Sequence, residues 1–124
     1  MRNILFPLFA ATVLTSCYQQ ERNCKDFKTG KFRFETEIDG KKQTTLFERA
    51  GNLEIETFNG KTDTASVRWV NDCEYVLQKL NPKNMAEKKA IAIRILSTSG
   101  KTYTFEYGVV GSDVRQTGTV TKLD

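Results

Sequence analysis

The 124-residue sequence predicts an all-β fold. About eight short antiparallel strands run as a meander and curl into a small up-and-down barrel or a strongly curled open sheet. Three observations carry this expectation. From Phe32 onward, apolar and polar residues alternate with a period of two, the pattern of half-buried antiparallel strands. Turn formers such as Asp39-Gly40, Asn59-Gly60 and Asn71-Asp72 interrupt the alternation at regular spacing. Only one short stretch, residues 82–89, carries helix signals.

In the first strand Phe32 and Phe34 face one way and Arg33 and Glu35 the other. Asp39-Gly40 turns the chain, since glycine takes the positive φ of a tight hairpin without steric cost. Thr44 to Arg49 forms the second run, and Ala50-Gly51-Asn52 leads into the third. There Leu53, Ile55 and Thr57 oppose Glu54 and Glu56, so the glutamates are expected on the polar outer face. Asn59-Gly60 is the strongest short-range hairpin signal in the chain. The fourth run, Thr64 to Val70, aligns Val67 with Trp69, and the fifth, Cys73 to Leu80, aligns Cys73 with Tyr75 and Leu77.

Asn81 as cap, Pro82 at the first position and Lys88 and Lys89 near the end predict one short helix over 82–89. Strands then resume. Ile91, Ile93 and Ile95 alternate with Ala92 and Arg94, Gly100 turns, and Tyr103, Phe105 and Tyr107 alternate with Thr102, Thr104 and Glu106. Gly108 and Gly111 read as bulge or turn glycines, and Val114 to Leu123 closes the chain.

The aromatic residues Phe32, Phe34, Trp69, Tyr75, Tyr103, Phe105 and Tyr107 all fall on the predicted inner side. An eight-stranded barrel is just wide enough to be filled by side chains or to hold one small ligand. The rings therefore either line an apolar pocket or fill the core, and buried tyrosine hydroxyls need partners in both cases. At the level of topology the architecture resembles a miniature lipocalin.

The N-terminus has a different character. Arg2, the apolar run from Ile4 to Leu14 and the small residues Thr15 and Ser16 have the order of a secretory signal peptide. The run is too short to span a bilayer, which takes about 20 apolar residues. Leu14-Thr15-Ser16-Cys17 resembles the lipobox of bacterial lipoproteins. That resemblance implies lipid transfer to the Cys17 sulfur and cleavage before it, and a durable anchor takes two or more acyl chains. Tyr18 stands where a sorting rule of such lipoproteins reads aspartate as inner-membrane retention, which implies the outer membrane. The chain thus divides into a signal peptide (1–16), a lipidated tether (17–23) and one domain (24–124).

Removing 16 of the 124 residues leaves 108, near the small end of what one apolar core stabilises unaided. With Cys17 assigned to lipid, the other two of the three cysteines, Cys24 and Cys73, remain as a bridge or as two free thiols. An exported chain meets an oxidising compartment in which a bridge persists.

Cleavage removes only Arg2 from the 19 basic and 15 acidic residues, leaving a mild positive balance. The two signs alternate along the chain, which argues against a nucleic-acid footprint. Histidine is absent, which excludes the histidine-based hydrolases and the commonest transition-metal ligand. Carboxylate pairs can do acid/base work, but Glu35 with Glu37 and Glu54 with Glu56 are expected on the solvated face. No EF-hand or phosphate-loop motif is present. A non-enzymatic protein without metal or cofactor is the expectation.

Ser66 to Asn84 (SVRWVNDCEYVLQKLNPKN), with CKDFKTGKF before it and YTFEYG after it, resembles a family of small flavobacterial-type outer-membrane lipoproteins. The resemblance implies a lipid-anchored envelope protein with one cysteine before the first strand and one in NDCEY, matching Cys24 and Cys73. Similar sequences often carry a DNA topoisomerase IV label, which this chain contradicts: it lacks the length and an ATP or DNA-gate motif. The expected role is a module held to the membrane by lipid on Cys17, on the periplasmic face of the outer membrane. It binds or positions an envelope protein or, alternatively, carries a small apolar ligand as lipocalins do.

Overall fold

The alternation is realised as eight antiparallel strands, each paired with the next, that close into a barrel. A computed structural model describes residues 22–124. The signal peptide expected over 1–16, the lipidation expected at Cys17 and the expected tether up to residue 21 lie outside the described residues. The strands are β1 (Gly30–Ile38), β2 (Lys41–Ala50), β3 (Leu53–Phe58), β4 (Lys61–Asn71), β5 (Glu74–Lys79), β6 (Ile91–Ser99), β7 (Thr102–Val109) and β8 (Gln116–Lys122).

Local turn chemistry sets much of the register. Asp39 and Gly40 have φ of 52° and 75°, and Asn59 and Gly60 have φ of 50° and 74°. Two positive φ values in succession are what a type I′ turn demands, and its twist matches that of the flanking strands. Ile38 therefore pairs with Lys41, and Phe58 with Lys61. Closure comes from β1 on β8, where Phe32 pairs with Lys122 and Phe34 with Val120. Register shifts between Trp69 and Asn71 and between Ile95 and Ser97 supply the local bend that closure needs.

The two ends of the barrel differ. One carries the β1–β2 and β3–β4 turns and the longer loops at 80–90 and 110–115. The other carries the N-terminal lead, the remaining hairpin turns and the C-terminus, and a 3-10 turn, Cys24–Phe27, covers it. Phe27 is 1% exposed, and its ring meets that of Tyr103 edge-on at 5.0 Å. A disulfide joins Cys24 in this cap to Cys73 in the β4–β5 turn, with Cα atoms 5.3 Å apart. Asn23 N donates to Thr98 Oγ1 at 2.8 Å, and Lys122 Nζ donates to the Asp26 carbonyl at 2.7 Å.

Two expectations are corrected. No helix forms over 82–89; the segment is a loop of turns, with Lys88 N donating to Asn84 O and Lys89 N to Ala86 O, each at 3.3 Å. Asn84 closes one of these turns, its Oδ1 accepting from Glu87 N at 2.9 Å. Helix nucleation is costly and needs an apolar face to bury, but Met85 here is 73% exposed. The second correction concerns β3. Leu53 and Ile55 lie on the outside, each 44% exposed, and Glu54 is 6% exposed on the inside.

Candidate functional site

The inversion of β3 follows from its neighbours. Phe32 pairs with Phe47, so Phe47 faces inward, and a period of two then brings Arg49 inward as well. The β2–β3 hairpin sets Arg49 opposite Glu54. A guanidinium inside a barrel needs a partner, and the opposing carboxylate provides one.

Arg49 is fully buried, at 0% exposure, and forms the floor of the barrel interior. Its Nε and Nη2 each donate to Glu54 Oε1 at 3.2 Å. Nη2 also donates to Tyr75 OH at 2.8 Å and Tyr103 OH at 3.2 Å, and Nη1 donates to the Phe27 carbonyl of the cap. Rings surround the charge: the guanidinium carbon lies 4.5 Å from the Tyr75 centroid, 4.9 Å from Phe32, 5.5 Å from Phe47 and 5.7 Å from Trp69. Such distances bring cation–π attraction.

Burial works against the charge on Arg49, but Tyr75, Tyr103 and Glu54 outweigh it and raise its pKa. Burial pushes the Glu54 carboxyl up, and Arg49 opposes that shift. Burial also raises both hydroxyls, that of Tyr75 well above the ordinary phenol range. Among the described residues no buried side-chain nitrogen or oxygen lacks a hydrogen-bond partner. The floor is a filled, satisfied polar knot in an aromatic collar.

Above the floor the barrel is hollow. A cavity of about 220 Å³ is walled by Phe34, Phe47, Ile91, Ile93, Phe105 and Tyr107, with Glu54 and Glu56 on one side. It shares Glu54, Glu56, Leu77 and Ile91 with a cleft of about 350 Å³ at the loop-bearing end, where Lys79, Ala86 and Lys89 form the rim. Gly118 keeps the space open: a Cβ there would come 2.7 Å from Phe34 Cε2 and 3.0 Å from Phe105 Cζ. Without one, the two rings lie against the β8 backbone, 5.6 Å apart and inclined by 62°.

Glu56, on the same face of β3 as Glu54, borders this chamber at its solvent-exposed mouth. Burial pushes its carboxyl above the ordinary range, Lys79 lowers it and Asp63 raises it further. Relative to an unfolded chain, its stabilising contribution is full below the ordinary carboxylate range and is lost as pH rises through the raised value. Ionised Glu56 thus works against folding. Lys79 does not neutralise it within contact distance, because its ammonium lies 2.9 Å from Glu87 Oε1 and 3.7 Å from Asp63 Oδ2.

The structure divides the predicted aromatic set between the two levels. Phe32 and Trp69 collar the floor, Phe34, Phe105 and Tyr107 wall the chamber, and Tyr75 and Tyr103, which accept from Arg49, border both. The interior is therefore both packed and hollow. Sequence reasoning missed Phe27, Phe47, Arg49 and Glu54 as interior residues, and Glu56 as an inward-facing residue at the exposed mouth. A signal for the last three lay in the short Gly51-Asn52 turn, which sets Arg49 and Glu54 opposite each other once Phe47 faces inward. Of the other glutamate pair, Glu35 is outside, beside Arg33 at 3.4 Å and Lys42 at 3.0 Å. Among the described residues no group of three or more histidine, cysteine, aspartate or glutamate side chains is placed to hold a metal ion.

No protein-family model, curated protein or solved structure matches the chain.

Proposed function

We propose that the protein is a lipid-anchored envelope module that binds a small, largely apolar ligand in its half-open barrel and does not chemically alter it. The observation that carries this reading is the hollow chamber above a filled floor. Ligand sites are concave, mostly apolar and fitted with a few placed polar groups, and the chamber meets that description. At about 220 Å³ it exceeds the roughly 150 Å³ that suffices for benzene in an engineered cavity, so one ring with a short substituent fits.

The anchor and the mouth are compatible in geometry. The lead enters at the capped end, opposite the mouth. An extended chain from Cys17 to Arg22 reaches at most about 20 Å, so lipid on Cys17 would hold the capped end near the membrane and leave the mouth facing away. Replacing Cys17 by alanine is expected to move the protein from the membrane fraction to the soluble fraction; unchanged partitioning would remove the anchor from the proposal.

The chamber is tested with 2-phenylethanol as probe. Added to the protein, it is expected to shift the methyl resonances of Leu77, Ile91 and Ile93, and Ile91→Trp, which fills the chamber from its wall, is expected to abolish the shifts. Shifts confined to the outer surface, or undiminished in the tryptophan variant, would show that the chamber is not the site.

A further inference from the structure

Resting on the chamber reading above, we infer that the ligand is an organic cation: a small ammonium compound with an apolar, ring-sized body. The floor of the same barrel shows how this interior holds a positive charge. There the Arg49 guanidinium sits among Phe32, Phe47, Trp69 and Tyr75 and pairs with Glu54. The chamber repeats that chemistry one step along the strands. Glu56 follows Glu54 on the same face of β3, and Phe34, Phe47, Phe105 and Tyr107 supply the rings.

What differs is the residue across the ladder. Glu54 has Arg49 opposite it on β2, whereas Glu56 has Phe47 there and Asp63 on the β4 side. The floor carries its own cation; the chamber has a collar and a carboxylate with no cation in ion-pair contact among the described residues. The Lys79 ammonium is held by Glu87 and Asp63 at the rim.

Arg49 and Glu54 offset each other in the floor, and at the rim Lys79 and Lys89 balance Glu56 and Glu87, with Asp63 3.7 Å from the Lys79 ammonium. A cation entering the mouth meets Glu56 and then aromatic faces whose quadrupoles attract it. An ammonium group donating to Glu56 would make a charge-assisted hydrogen bond in a space partly shielded from water. Its apolar body would fill the volume between Phe34, Phe105 and Ile91.

The test is a calorimetric titration of the protein with three probes of similar shape: 2-phenylethylammonium, 2-phenylethanol and phenylacetate. The ammonium compound is expected to bind about tenfold more tightly than the alcohol, the size of effect a hydrogen bond to a charged group supplies, and phenylacetate more weakly than either. Glu56→Gln is expected to bring the ammonium compound down to the level of the alcohol, and Glu56→Asp to keep part of the preference. Equal binding of ammonium and alcohol, a preference for phenylacetate, or an ammonium preference that survives Glu56→Gln would overturn the inference while leaving the chamber as a binding site. Binding of none of the three would overturn both.

Discussion

Arg49→Met is expected to lower stability by about 3–5 kcal/mol, the range for breaking a buried ion pair by removing one partner. The loss is large because the guanidinium serves several buried groups at once. Its removal strands the Glu54 carboxylate, the Phe27 carbonyl and the hydroxyls of Tyr75 and Tyr103 away from water. Small domains have only about 5–15 kcal/mol in total, so the variant would be marginal at ambient temperature.

Arg49→Lys should recover little, because one ammonium on a flexible stem cannot reproduce donors fixed in a planar fork. The double variant Arg49→Met with Glu54→Gln removes the stranded charge and is expected to be more stable than Arg49→Met alone. Urea denaturation of the single and double variants measures the coupling. If Arg49→Met costs less than about 1 kcal/mol, or the two substitutions simply add, the knot is not a cooperative unit.

That knot also marks the limit of what the sequence discloses. The Asp39-Gly40 and Asn59-Gly60 turns were legible because their conformational requirement is local: two successive positive φ values that few residue pairs tolerate. The inward set Phe32, Tyr75, Ile93, Ile95, Tyr103 and Phe105 was legible because each member recurs at every second position beside polar neighbours. In β3 both faces carry plausible core residues: Leu53 and Ile55 are apolar, while Glu54 is the complement of a charge on another strand. Alternation alone selects the apolar face. The structure selects the other because Phe47 facing inward carries Arg49 with it, and pairing then places Glu54 beside the guanidinium.

The 82–89 segment failed for a related reason. Cap and charge signals were present, but they stabilise a helix only weakly without tertiary packing, and Glu87 is engaged instead by Lys79 and by the Lys83 backbone N–H. Whether the interior was filled or hollow lay beyond any local pattern. It depends on Gly118, whose missing side chain matters only because β8 lies beside the Phe34 and Phe105 rings.

Removing the Cys24–Cys73 bridge, by reduction or by Cys24→Ser with Cys73→Ser, is expected to cost about 4 kcal/mol for a sequence separation of 49 residues. The strand ladders do not depend on the bridge, so the barrel should still form. What changes first is the unfolded chain, which gains the freedom to separate two points held together by the bond, and the denaturant slope should steepen as that chain exposes more surface. The second effect falls on the cap. The bridge ties the 3-10 turn to the β4–β5 turn, and that turn delivers Phe27, whose ring covers Tyr103 and whose carbonyl accepts from Arg49. Without it the cap is held by contacts such as Asn23 with Thr98 and Lys122 with Asp26, each worth about 1 kcal/mol net. Hydrogen exchange should therefore rise at Cys24–Phe27 before it rises in β6 and β7. Coincident denaturation curves with and without reductant would show that the cap and the ladders hold the barrel without the bond. A lower midpoint with unchanged protection at Cys24–Phe27 would place the effect wholly in the unfolded chain.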